Sequence, residues 1–81
     1  MATVHREGGF SFRVFPNDHP PAHVHAWARG ACVVIQLPTE HEGATVLRIE
    51  GKMKDADVAD AVDIVQNNAD VMWEGWNRFH D

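Results

Sequence analysis

The period of the apolar residues changes near residue 55, and this change restricts the fold more than any other feature of the sequence. Before it, apolar and polar residues alternate in short stretches between glycine- and proline-containing turns, which is typical of β-strands. After it, apolar residues recur three and four positions apart, as on one face of an amphipathic helix. These residues are Val58, Val62, Val65, Ala69, Met72, Trp76 and Phe79. The sequence therefore predicts an α+β fold, with residues 1–51 mostly in strands and one long C-terminal helix over residues 55–79.

The first 51 residues contain several segments with the composition of strands. Gly8-Gly9 separates residues 3–6 from Phe10–Phe15 and can adopt the positive φ angles of a tight hairpin turn. Residues 22–28, 31–37 and 45–51 are further extended stretches, and the middle one is apolar on both faces, as in a central strand. We therefore expect an antiparallel sheet of four to five strands with the helix packed on one face.

Length and charge limit the classes of protein to which the chain can belong. Its 81 residues predict a single domain, residues 1–81. Seven basic residues against 12 acidic ones give a net charge of −5, which disfavours nucleic acid as a partner, because that affinity depends on Lys and Arg neutralising phosphates. The single cysteine, Cys32, lies in an apolar run, which favours a buried thiol. Since no apolar stretch resembles a signal peptide or membrane span, we expect a cytoplasmic protein without a membrane partner.

Three histidines within seven residues form the strongest candidate site. His23 and His25 are two positions apart, so on a strand they project from the same face, and Trp27 shares that face. The turn containing Pro20-Pro21 could bring His19 towards them, with Asp18 orienting one imidazole. Three imidazoles are ligands that a divalent transition metal such as zinc accepts. The sequence therefore predicts a metal site formed by His19, His23 and His25.

The same residues are open to two other interpretations. A histidine beside a carboxylate can carry out acid–base chemistry without a metal, because imidazole titrates near pH 6.5. Alternatively, Asp18 caps a turn and the histidines are half-exposed strand residues with a structural role. His41 in a polar loop and His5 near a sheet edge are weaker candidates, and His80, one residue from the end, is expected to be disordered.

Several motifs together resemble the DUF4160 family, a domain of unknown function in small bacterial proteins. They are Thr3-Val4, Gly8-Gly9-Phe10, Asn17-Asp18-His19, His23-Val24-His25 and Trp76-Asn77. The resemblance covers almost the whole chain, although the prolines stand one place closer to the N-terminus, with Ala22 where the family commonly has its second proline. Members resemble partners in small two-gene units, which implies a toxin–antitoxin-like association.

These observations support two hypotheses for function. The first is a small metal- or ligand-binding protein that uses the His-x3-His-x-His cluster, with hydrolysis as the reaction that such a site could support. The second is a protein-interaction module, such as one partner of a toxin–antitoxin-like pair, or a homo-oligomer. The sequence leaves open whether the protein is an enzyme.

Overall fold

In a computed structural model that describes residues 2–80, the chain forms a five-stranded antiparallel sheet followed by two helices. The strands are β1 (Ala2–Glu7), β2 (Phe10–Val14), β3 (His23–Ala28), β4 (Ala31–Gln36) and β5 (Thr45–Glu50), and the helices are α1 (Asp55–Asn67) and α2 (Ala69–His80). Each strand pairs with the next one along the chain, so the sheet order is β1-β2-β3-β4-β5. The α+β class and the antiparallel sheet are thus confirmed, with five strands in the described part of the chain.

Two short turns connect neighbouring strands by residues with positive φ. Gly8 and Gly9 have φ angles of 60° and 83° and join β1 to β2, as the glycine pair predicts. Arg29 and Gly30, at 47° and 80°, join β3 to β4. Positive φ at both central residues matches the right-handed twist of paired strands, so both turns close hairpins without splaying them.

One face of the sheet packs against the helices and forms the core. The register aligns Phe12, Ala26 and Val33 in one row across the three central strands, and all three are fully buried. From the helices, Val65 and Met72 pack in the same cluster and are also fully buried. Burying a large apolar side chain contributes about 1.5–3 kcal/mol, so this row and the helix stripe account for much of the stability.

The prediction of one long C-terminal helix is wrong, because the helical region is divided at Asn68. The φ and ψ angles of Asn68 are −124° and 34°, outside the helical region. Its Nδ2 donates to the backbone oxygen of Ile64 at 2.8 Å and to Glu7 Oε1 at 3.3 Å. An asparagine side chain that bonds the preceding turn competes with the helical hydrogen bonds, which explains the break.

The opposite face of the sheet carries the histidines of β3. Arg13, His25, Val34 and Arg48 lie side by side in one row across β2, β3, β4 and β5. The alternation of β3 places His23 and Trp27 on this face with His25. The predicted common face of these three residues is therefore present.

Within residues 2–80, neither helix is long and apolar enough to cross a membrane.

Candidate metal centre

A tight turn after β2 holds the side chain of Asp18 in place. The backbone N–H of Phe15 donates to Asp18 Oδ2 at 3.1 Å, and the N–H of Asp18 donates to the Phe15 oxygen at 3.0 Å. Pro16 and Asn17 lie between them, and a proline followed by Asn-Asp favours such a turn. These two reciprocal hydrogen bonds direct the Asp18 carboxylate back towards the sheet.

The Asp18 carboxylate lies between the imidazoles of His23 and His25. The distance from Asp18 Oδ2 to His25 Nε2 is 3.2 Å and to His23 Nε2 is 3.5 Å. One ligand atom from each of the three residues lies within 4.8 Å of the others. The structure thus brings together two of the three predicted histidine ligands with Asp18, the residue predicted to orient one imidazole.

His19 lies outside this group. It follows Asp18 directly but is exposed, since adjacent side chains diverge along the turn. The two other weak candidates are also separate from the centre: His41 is exposed in its loop, and His5 pairs with Glu7 at 2.9 Å. The described residues that can share one ion are therefore Asp18, His23 and His25.

A backbone carbonyl determines which nitrogen of His23 is available. His23 Nδ1 lies 2.8 Å from the backbone oxygen of Pro21, so it must carry a hydrogen and donate. A neutral His23 then has its lone pair on Nε2, the nitrogen that faces Asp18. Metal-binding histidines commonly donate their other ring N–H to a carbonyl or carboxylate in this way.

Aromatic rings enclose the two imidazoles. Phe15 meets His25 edge-on, with ring centroids 4.7 Å apart, and Trp76 of α2 lies 5.3 Å from His23. Both histidines are only 7% exposed. The walls of the site therefore come from the turn after β2 and from the end of α2.

Burial and charge act in opposite directions on His25. Burial is the largest cause and lowers the pKa of His25 below its ordinary value of 6.5, while the Asp18 carboxylate raises it and the neighbouring His23 lowers it further. The net direction is downwards. The neutral imidazole, which is the form that binds metal ions, is consequently favoured at His25.

No local sequence pattern places His80 near the centre, and the expectation that it is disordered is wrong. His80 is the last residue of α2 and stacks on Trp76, with ring centroids 3.6 Å apart and an angle of 9° between the planes. Its Nε2 lies 3.0 Å from the backbone oxygen of Asp18, and its Nδ1 lies 2.8 Å from that of Trp76. The four-residue spacing of Trp76 and His80 on the helix was the only available signal of this pairing.

Two of the three distances between the candidate ligand atoms are compatible with a shared divalent ion. Ligands about 2.0–2.1 Å from a tetrahedral zinc ion are separated by about 3.3 Å along each edge of the tetrahedron. The two N–O distances, 3.2 and 3.5 Å, lie on either side of that value, and without an ion the 3.2 Å contact is a hydrogen bond between His25 and Asp18. Two histidines and a carboxylate also form sites for other transition metals, with open positions for water or substrate.

Comparison with known proteins places the chain in a family. The sequence model described as "Domain of unknown function (DUF4160)" matches residues 9–77. That range includes the turn after β2 and every residue of the candidate metal centre. Searches of curated proteins and of solved structures gave no match. Because the matched range covers most of the 81 residues, the chain belongs to the DUF4160 family.

Proposed function

We propose that this protein binds a divalent transition metal such as zinc through Asp18, His23 and His25. The observation that carries the proposal is the convergence of Asp18 Oδ2 with Nε2 of both histidines, at 3.2 and 3.5 Å, in a largely buried setting. A carboxylate and two imidazoles provide borderline ligands of the kind that zinc and its neighbours prefer.

The tautomer of His23 gives a physical reason for a cation between His23 and Asp18. With Nδ1–H donated to Pro21, a neutral His23 presents a lone pair at Nε2 to a carboxylate oxygen 3.5 Å away. Two acceptors that face each other without a hydrogen between them repel. Either a proton on Nε2 or a metal ion between the two atoms removes this repulsion and offsets the charge of the Asp18 carboxylate. A metal ion can in addition be shared with His25, whose Nε2 lies 3.2 Å from the same oxygen.

Asp18, His23 and His25 would hold the ion and leave room for a bound water. The ion would acidify that water, which makes hydrolysis of an electrophilic carbon or phosphorus centre the reaction class that this site supports best. Asp18, His23 and His25 are the ligands in this proposal, while the Pro21 carbonyl orients the His23 ring and His80 holds the turn that carries Asp18.

Metal titration of protein purified without a histidine tag tests the proposal. Wild-type protein is expected to bind one equivalent of Zn²⁺ or Co²⁺, measured by calorimetry, and Co²⁺ absorption would report the coordination number. Asp18→Asn, which can keep the hydrogen bond from Phe15, and His25→Gln are expected to lower the affinity at least about hundredfold. His19→Ala and His41→Ala serve as matched controls and should bind as the wild type does.

Two results would contradict the proposal. One is the absence of any binding by the wild-type protein at micromolar metal concentrations. The other is binding that is lost in the His19→Ala variant and kept in Asp18→Asn, because the site would then involve a different set of residues.

A further inference from the structure

β5 is an open edge of the sheet with an apolar surface. It pairs with β4 on one side, and all six of its residues are exposed. Within residues 2–80, the exposed large hydrophobic side chains are Val46, Leu47 and Ile49 of β5, at 41–45%, together with Val71 of α2. An exposed and hydrophobic edge strand offers unpaired backbone N–H and C=O groups to another strand.

The other edge of the sheet, β1, exposes less apolar surface. On β1, Val4 is partly buried and packs directly under Gly75 of α2, and a bulge lies between Thr3 and His5. Bulges and charged side chains are features by which proteins limit the addition of strands to a sheet edge. β5 has a bulge in its register with β4 and the charged residues Arg48 and Glu50, so the arrangement of these two charges decides which strand can pair with it.

The charges of β5 become complementary when the strand meets a copy of itself. Arg48 lies opposite Val34 and Glu50 opposite Cys32, so both project from the same face, while Ile49, opposite Val33, projects from the other. An antiparallel copy related by a two-fold axis at Ile49 places Arg48 opposite Glu50 of the second copy, and Glu50 opposite its Arg48. Within one chain, Arg48 Nε already lies 2.8 Å from Glu50 Oε2, so the four side chains would alternate in sign.

We propose that this edge pairs with β5 of a second copy of the chain and extends the sheet to ten strands. A charge of one sign on an edge strand repels a second copy, whereas Arg48 and Glu50 exchange places under the two-fold rotation and attract it. The Ile49 side chains of the two copies meet at the axis, and their contact removes apolar surface from water. The proposal is independent of metal binding.

The contact is small, because a two-fold axis at Ile49 pairs only residues 48–50 of β5 with the same residues of the second copy. Interfaces at the low end of the size range are weak or transient, so a dissociation constant in the micromolar range is expected. Cross-strand charge pairs contribute modestly, and reversing both symmetric pairs is expected to weaken association at least about tenfold.

Charge exchange between two variants tests the register. Arg48→Glu alone puts two carboxylates opposite each other at both symmetric positions, and Glu50→Arg alone does the same with two guanidinium groups. Each variant is expected to be monomeric in sedimentation velocity at concentrations where the wild type dimerises. An equimolar mixture of the two variants restores both attractive pairs, so it is expected to form heterodimers.

Arg78→Glu, a change at the exposed Arg78–Glu74 pair of α2, is the matched control and should leave self-association unchanged.

Each outcome decides the proposal. Dimers in the wild type, loss in both single variants and recovery in the mixture support it. A wild-type protein that stays monomeric up to about 0.5 mM overturns the proposal, because β5 then does not pair with a second copy of this chain. Dimers that persist in the single variants, or a mixture that stays monomeric, overturn the pairing about Ile49.

Discussion

His80 Nε2 lies 3.0 Å from the backbone oxygen of Asp18, although 62 residues separate the two in sequence. This contact ties the end of α2 to the turn that carries the candidate carboxylate ligand. His80 also stacks on Trp76, whose ring lies beside His23. The last turn of α2 therefore touches both segments that supply the proposed ligands.

Replacement of His80 is expected to weaken metal binding without removing a ligand. His80→Phe keeps an aromatic ring over Trp76 but loses the hydrogen bond to Asp18, so the turn after β2 becomes freer. Residues that hold metal ligands in place through hydrogen bonds typically contribute about 10–100-fold to metal affinity, and we expect a loss near the lower end of that range.

Calorimetric Zn²⁺ titration measures this effect, and thermal unfolding separates it from a loss of structure. His41→Ala removes an exposed histidine elsewhere and is the control. Unchanged affinity in His80→Phe would show that the contact with Asp18 has no influence on the centre.

The lowered pKa of His25 predicts that acid destabilises the metal-free protein. Because the pKa in the folded state is below 6.5, the unfolded chain binds more protons than the folded one in the range between the two values. The contribution of His25 to the free energy of unfolding is therefore fully present above about pH 6.5, and it is lost as the pH decreases from 6.5 through the folded pKa. Urea unfolding between pH 7.5 and 5 measures this, and His25→Gln should reduce the slope. A slope identical to that of the wild type would contradict the assignment to His25.

The Cys32 thiol is expected to be nearly inert in the folded protein. Burial, reinforced by the Glu50 carboxylate, raises the pKa of Cys32 from 9.0 to about 11. Since the thiolate is the reactive form, its fraction at pH 8 falls about hundredfold relative to an ordinary cysteine. Alkylation by iodoacetamide should therefore be at least about hundredfold slower than in urea-unfolded protein at the same pH. Comparable rates in the two states would show that the thiol is accessible.

Period and spacing were sufficient to predict the local arrangement of the site. The two-residue repeat of a strand places His23 and His25 on one face with Trp27, and the glycine pair predicts the first hairpin. These relationships depend only on backbone geometry within a few residues. The class of fold, set by the change of period near residue 55, was predictable for the same reason.

The identity of the third proposed ligand depends on contacts that no local pattern contains. Asp18 turns inwards because its backbone and side chain both bond Phe15, while His19, its neighbour, is consequently directed to solvent. His80 reaches the site because α2 begins anew after Asn68 and packs against β1, β2 and β3. Both facts follow from tertiary packing, which spacing along the chain does not report.

Gly75 is another residue whose tertiary contacts the sequence pattern does not reveal. It provides a test of how α2 packs on β1. A glycine in a helix suggests a weak point, yet Gly75 is buried in the middle of α2. A Cβ at this position would lie 2.8 Å from the Cβ of Val4 and closer still to one of its methyl groups, so the helix would have to move away from the strand. Gly75→Ala should gain about 1 kcal/mol in helix propensity and lose about 1–3 kcal/mol from overpacking, giving a net destabilisation.

Val4→Ala in the same chain removes the clashing methyl groups, so the double variant should lose less than the two single changes added together. Urea unfolding of the four proteins measures this coupling, and additive losses would mean that Gly75 and Val4 are not in contact.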